Sequence, residues 1–318
     1  MILYNYNTFW CTFSTIGGKN MLIKNLFNKK RPVISFEIFP PKKNSPIETI
    51  YNTIEELKDL RPDFISVTYG AGGSSQGNTV QIASIIKNKY SIEALAHLTC
   101  VTSTKQDIDN ILSSLKKENI ENILALRGDI PSDPDFKFPD PLHYHYASDL
   151  VKEIKDTDNF CIAGACYPEG HFECIDKLKD LENLKKKVYS GTDFLITQLF
   201  FDNNVFYDFY EKAQSNNINI PISAGIMPVI NKNQINRIAS LCGATIPKKL
   251  IRIIEKYEYN PEALKEAGIA FATDQIIDLL SWGVDGIHLY TMNKPEIATK
   301  IVNNITEIRE ALRTNVLD

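Results

Sequence analysis

VISFEIFPP, residues 33–41, reads as a short strand buried on both faces. Val33, Ile34, Phe36, Ile38 and Phe39 are β-branched or bulky apolar residues with no regular polar alternation, so neither face is built for water. Pro40 and Pro41 end the run, because proline cannot donate to a strand ladder. Glu37 is the exception inside it: a carboxylate among apolar neighbours needs either a partner or a chemical role.

Seven further runs of the same kind follow, at 63–69, 93–100, 122–127, 160–167, 194–200, 222–229 and 285–291. Helical periodicity fills the gaps, as at 47–60, 108–117, 176–189 and 234–241. Strands alternating with helices imply parallel pairing through crossovers. Eight such units in one chain predict an α/β fold, a single (β/α)8 TIM barrel occupying residues 21–318, rather than an open sheet. The stretch 247–282 exceeds one crossover, and two or three extra helices are expected there before the last strand.

Composition narrows the class. A net charge of −4 over 318 residues provides no basic field for nucleic acid. No apolar run reaches the length of a membrane span. The six cysteines include no C-x-x-C pair and several lie in apolar runs, which reads as a reduced, cytoplasmic protein without a disulfide framework. Residues 1–20 are aromatic and Thr/Asn-rich without a basic start or a long apolar segment. They are expected to be a disordered extension that contributes little to fold or activity.

Polar residues gather at the carboxyl ends of the expected strands: Glu37, Thr68, Tyr69, His97, Thr99, Arg127, Gly128, Asp129, Tyr167, Gln198, His288, Tyr290 and Asn293, with Glu169 and His171 just beyond. In a barrel that end carries the chemistry. Burial would disfavour the charged form of Glu37 and suit a general acid, while the bland reading is an ion pair with a lysine or arginine. Arg127-Gly128-Asp129 closes a strand, either as a ligand-approach turn or as a plain turn and cap. Lys185, Lys186 and Lys187 form a solvated helix face or a seat for a pyrophosphate. The glycine-rich 70–75 segment lacks the third glycine of a dinucleotide fingerprint, since Ser75 stands there. His143 and His145 have no third ligand at a recognisable spacing, so no metal site is expected.

Taken together, VISFEIFPPK, FISVTYGAGG, EALAHLTC, NILALRGD, YHYASDLV, ACYPEGH, LKKKV, FLITQLFFD, ISAGIMPV and IHLYTMNK resemble the methylenetetrahydrofolate reductase family. The likeness runs from about Pro32 to near the C-terminus, and the order and spacing of the motifs make it specific. The resemblance implies FAD at the carboxyl face and reduction of 5,10-methylenetetrahydrofolate to 5-methyltetrahydrofolate by ping-pong hydride transfer, in one-carbon metabolism and methionine synthesis. It makes Glu37 the general acid and places the anion of Asp129 near flavin and pterin. Gln198, Gln234, Lys294 and Thr68 match folate or nicotinamide contacts. Tyr69, Ala71, His97, Arg127, Gly128, Asp129, Ala147, Tyr167, His171, Asp180, Asn183, Lys186 and Lys187 match flavin contacts.

The implied partners are the folate and NADH or NADPH, or a redox protein, in a chain that associates with its own copies. Two departures stand out. Lys186 and Lys294 replace arginines found in some members, keeping charge without the bidentate fork. Ile238 replaces a stacking phenylalanine. The regulatory domain of larger members, which binds S-adenosylmethionine, is not expected here. The rival readings are a flavin- and folate-binding subunit fed by a partner protein, a proline dehydrogenase-like flavin barrel, and, more remotely, a glycosidase pairing Glu37 with Glu169.

Overall fold

Each of the eight apolar runs forms a strand, and the strands pair in sequence order, all parallel, until β8 closes on β1. A computed structural model describes residues 21–29, 32–41, 45–69, 76–131, 133, 135–235 and 242–314. The strands are β1 (Val33–Ile38), β2 (Phe64–Val67), β3 (Glu93–Thr99), β4 (Asn122–Leu126), β5 (Cys161–Cys166), β6 (Phe194–Thr197), β7 (Ile222–Ile226) and β8 (Gly286–Tyr290). After a short leading helix α1 (Lys24–Lys29), the crossovers carry α2 (Glu48–Lys58), α3 (Gln76–Ser84) with a π-helical turn at Ile85–Lys89, α4 (Lys105–Lys117), α5 (Ala147–Thr157), α6 (Lys177–Tyr189) and α7 (Asn203–Ser215). Two helices precede β8, α8 (Lys248–Tyr257) and α9 (Pro261–Trp282), as the length of that stretch requires. Then α10 (Pro295–Asn304) and α11 (Thr306–Thr314) follow. Among the described residues, no helix is long and apolar enough to cross a membrane.

The strands stop short of the apolar runs that announced them. Those expected at 194–200 and 222–229 end at Thr197 and Ile226. Beyond those points the apolar residues serve a different purpose. Leu199, Phe201, Met227 and Val229 pack with Leu250, Ile254 and Leu264 under α8 and α9, in a cluster of their own. Their hydrophobicity therefore comes from a helix lid and not from a sheet. The backbone there makes single bonds across the rim, such as Gln198 N–H to the Cys166 carbonyl at 2.7 Å. Residues 1–20, the 70–75 segment and most of the helix expected at 234–241 lie outside the described residues, although 232–235 are helical.

A period of two along each strand divides the barrel wall. Ile34, Phe36, Ile38, Ile65, Ala96, Leu98 and Ile123 point outward into the main core with the helices. Val33, Phe64, Leu95, Leu124, Cys161, Ala163, Phe194 and Ile196 make an apolar layer that packs with Ile23, Leu26 and Phe27 of the α1 segment. Phe27 and Phe194 pack with their rings tilted at 44° and centroids 5.2 Å apart. The α1 segment thus floors the barrel. Ile23 N–H donates to the Asn122 side chain at 2.8 Å, and Lys24 pairs with Asp193 at 2.9 Å.

Aspartates just before three strands finish the bottom rim. Asp63 accepts from Ile34 N–H at 2.8 Å, Asp193 from Ile162 N–H at 2.9 Å, and Asp285 from Ile222 N–H at 3.0 Å. Each supplies an acceptor to a buried backbone donor that would otherwise be unpaired. Apart from Ser223, which lies level with Val33 in the lower layer, the buried polar residues inside the barrel include Ser35, Glu37, Ser66, His97 and His288 in the upper layers.

Candidate active site

Two residues above the apolar layer, β1 presents Ser35, and two above that, Glu37. Glu37 is 7% exposed. Its Oε2 lies 3.4 Å from His288 Nε2 and 3.5 Å from His97 Nε2. Register explains the meeting: Glu37 pairs with Ser66 on β2 and Tyr290 on β8, and Ser35 pairs with His288. Among the described residues, the basic groups beside Glu37 are these two histidines, not the lysine or arginine of the bland reading. Burial pushes His97 down to about 4, so it is neutral at neutral pH and its contact with Glu37 is no ion pair.

His288 is fully buried, with Phe64 stacked at 6.1 Å and Tyr290 edge-on at 5.3 Å. Its Nδ1 is 2.7 Å from Ser35 Oγ, and its Nε2 is 3.4 Å from Ser66 Oγ. The loop after β8 is tied down on the same strand. Thr291 Oγ donates to the Glu37 carbonyl at 2.6 Å. Asn293 brackets Phe39, accepting its N–H and donating to its carbonyl, both at 2.9 Å. That clasp holds Met292 and Asn293 at positive φ, 53° and 55°. Beside it, Tyr290 donates to the Thr197 carbonyl at 2.7 Å. Gly225 makes this possible, since a Cβ there would stand 2.3 Å from the same carbonyl and 2.8 Å from the tyrosine ring.

A second group forms where β4, β5 and α6 meet. Gly128 has φ +86°, and a Cβ would fall 2.8 Å from Thr99, so the turn requires glycine. Arg127 next to it forms a two-pronged pair with Glu173, at 2.6 and 2.9 Å. Glu173 raises the Arg127 pKa, and Arg127 holds the Glu173 carboxyl below the usual range. Tyr167 meets His171 edge-on at 4.6 Å, and Asp180 accepts the His171 N–H at 3.2 Å. Burial pushes Tyr167 up to about 12 and His171 down. Asp176 caps α6 by accepting from Leu178 N–H at 2.9 Å, which fixes the helix carrying Asp180, Asn183, Lys186 and Lys187. Lys187 donates to the Ala165 carbonyl at 2.5 Å, and burial lowers its pKa. Lys186 and Asn183 are exposed. A hollow of about 160 Å³ lies between Tyr167, Gly170, Asp180 and Leu184 on one side and Phe209 and Lys212 on the other.

The remaining sequence-predicted residues are spread around the rim. Thr68 and Tyr69 are half-buried past the end of β2, with Thr68 N–H bonded to the Ile38 carbonyl at 3.1 Å. Asp129 is exposed beyond Gly128, and half-buried Ala147 opens α5. Gln198 turns its side-chain oxygen onto Leu199 N–H at 2.9 Å. Gln234 sits by Asn231 and Met227, and Lys294 is exposed at the start of α10. Ala71 and Ile238 lie outside the described residues.

His288 was legible at a strand end but had no role, and Ser35 and Glu173 were not singled out from the sequence. The period of two along β1 sets Ser35 below Glu37, whereas only the fold brings His288 beside Glu37 and Glu173 onto Arg127. Glu169, the imagined partner of Glu37 in a glycosidase, instead accepts from Thr245 through both N–H and hydroxyl, at 2.8 and 2.5 Å. His143 accepts Lys105 N–H at 2.8 Å, and no group of metal-ligating side chains is present among the described residues.

A buried glutamate between two histidines at one side of the mouth, and a cationic, half-buried cluster at the other, suit an acid-assisted reaction on a ligand held partly by anionic groups. Comparison with known proteins points the same way. The family described as Methylenetetrahydrofolate reductase matches residues 22–306. The 5,10-methylenetetrahydrofolate reductase of Escherichia coli is 36% identical over 272 residues, covering 86% of this chain and 90% of that protein. Methylenetetrahydrofolate reductase (NADH) 1 of Arabidopsis thaliana is 36% identical over 300 residues, covering 91% of this chain and 51% of that protein. The chain thus spans about half the length of that plant relative. A solved structure from Clostridium thermocellum, described as binding two copies of 5-methyl-5,6,7,8-tetrahydrofolic acid, shares the fold with a TM-score of 0.61 at 17% identity, covering 91% of this chain and all of that one.

Proposed function

The chain belongs to the methylenetetrahydrofolate reductase family, and on that premise we propose that it reduces 5,10-methylenetetrahydrofolate to 5-methyltetrahydrofolate with bound FAD, taking electrons from NADH or NADPH. The observation that carries the reading is Glu37. It is a carboxyl buried at the catalytic end of a barrel, with no lysine or arginine counter-charge among the described residues and two histidines within 3.5 Å.

The β4, β5 and α6 cluster fits a flavin dinucleotide in its chemistry. The Gly128 turn allows close backbone approach, and the half-buried Lys187 ammonium has a backbone carbonyl for a partner and can take a phosphate. Lys186, Asp180, Asn183, His171, Tyr167, Arg127, Asp129 and Ala147 would complete that seat, with His97 and Tyr69 contributed by β3 and the end of β2. When bound, FAD supplies the hydride for the folate.

The protein's own part concerns the proton and the cation. Glu37 gives its proton to folate N10. The bond between N10 and the bridging carbon then breaks, and the carbon is left as an iminium on N5. The Asp129 carboxylate favours that positive charge. Hydride arriving at the iminium carbon completes the methyl group. Gln198, Gln234, Thr68 and Lys294 orient the folate and, in the other half-reaction, the nicotinamide.

The test is anaerobic. The purified protein should be yellow with FAD, should bleach with NADH or NADPH, and should recolour on addition of 5,10-methylenetetrahydrofolate. A colourless protein, or a reduced flavin that the folate leaves bleached, would overturn the proposal.

A further inference from the structure

The segment after β5, residues 167–176, is fastened at several points. Glu169 is bound by Thr245 N–H and hydroxyl. His171 N–H goes to Asp180 at 3.2 Å, and its ring accepts Glu173 N–H at 3.2 Å. Cys174 N–H returns to the His171 carbonyl at 2.8 Å. The His171 ring lies between Tyr167 and Phe172, at 4.6 and 4.8 Å. A loop held this way presents the Glu173 carboxylate from a fixed place.

Arg127 receives that carboxylate on both terminal nitrogens, while its Nε donates to the Gly128 carbonyl at 3.3 Å. Three of the five guanidinium hydrogens are then committed, and the plane of the group is set. Two hydrogens stay on the outer edges for a ligand. An arginine at a mouth has side-chain entropy to lose on binding, and a fork already locked loses less.

From this geometry we infer that Glu173 is the positioning residue for Arg127, holding its guanidinium ready for the flavin. The inference rests on the FAD reading above. A swinging latch that competes with the ligand is disfavoured, because the Glu169, His171 and Cys174 bonds leave the loop no slack on either side of Glu173.

The experiment is FAD release on dilution of the FAD-loaded protein, read from recovered flavin fluorescence, for wild type, Glu173→Gln, Arg127→Ala and the double variant. Glu173→Gln should weaken retention about tenfold, the scale of one lost charge-assisted hydrogen bond. In the Arg127→Ala background the same change should do almost nothing. Glu173→Asp, which keeps charge but not reach, should fall between wild type and Glu173→Gln. Unchanged or tighter retention in Glu173→Gln would overturn the inference, as would an equal loss in both backgrounds, which marks a merely structural role. A wild-type protein that takes up no FAD would overturn the flavin reading itself.

Discussion

His288 Nε2 lies 3.4 Å from the Glu37 carboxylate, while its other nitrogen lies 2.7 Å from Ser35 Oγ. The Ser35 hydroxyl has a second acceptor, the Ile287 carbonyl at 3.3 Å. Its single proton therefore chooses the tautomer of the buried ring. When the hydroxyl donates to Nδ1, Nε2 keeps its proton and faces a Glu37 carboxylate. When the hydroxyl turns to Ile287, Nδ1–H donates to Ser35, and the bare Nε2 can accept from a protonated Glu37. His288 can thus partner Glu37 both before and after Glu37 loses a proton.

Replacing His288 with Asn should remove that adaptability. We expect the folate half-reaction to slow by about tenfold, the scale of one hydrogen bond to a charged group, and its pH profile to move. Flavin content should stay as in wild type. Rapid mixing of the reduced protein with folate across a pH series measures this. An unmoved profile would show that the ring only fills space.

Acid stability should report on His97. Its ordinary pKa is 6.5, and burial holds it at about 4 in the fold. Between those values the unfolded chain binds the proton and the folded chain does not, so stability is intact above about pH 6.5 and falls as pH drops toward 4. At pH 4.5 this one residue should account for about 2 to 3 kcal/mol. Denaturant unfolding at pH 7.5 and 4.5 should show that the His97→Gln variant loses less than wild type by that amount. Parallel losses would mean that other groups dominate the acid limb.

The barrel floor provides a stability test remote from the chemistry. Phe27 is 1% exposed and packs on Phe194 inside the lower layer. Phe27→Ala should cost about 3–5 kcal/mol, the usual range for emptying a buried aromatic site. A chain starting at Met21 keeps Ile23, Leu26 and Phe27 and should melt at the wild-type temperature. Calorimetry on both settles it. A mild Phe27→Ala would show that the floor collapses onto the gap.

The barrel itself was legible because eight predominantly apolar runs alternate with segments of helical period. Glu37 was legible for the converse reason, as a charge that such a run does not tolerate. Strand ends were not legible. At Leu199 and Met227 the hydrophobicity continues past the ladder, because α8 and α9 cover those residues. The apolar look of 21–27 was equally uninformative about its role as a floor, since a short helix gives no sign of which opening it fills. Pairings across the mouth were hidden altogether. Arg127 and Glu173 are 46 positions apart, and Glu37 and His288 are 251 apart. Pairing of β4 with β5 brings the first two together, and closure of β8 on β1 brings the second two together.

Glu37→Gln is the decisive substitution for the proposed chemistry. The amide keeps the size of the side chain and can still meet His97 and His288, so the barrel should fold and hold flavin as before. What it lacks is a transferable proton. General acid catalysis contributes about 10²- to 10⁴-fold, so the folate half-reaction should slow by at least about 100-fold, equivalent to about 2.7 kcal/mol. Reduction by NADH or NADPH needs no proton delivered to N10 and should change far less. Stopped-flow absorbance separates the two steps, bleaching for one and recolouring for the other. Recolouring at the wild-type rate would remove Glu37 as the acid. Equal collapse of both steps would reassign it to holding the site together, with His97 and His288 as its framework.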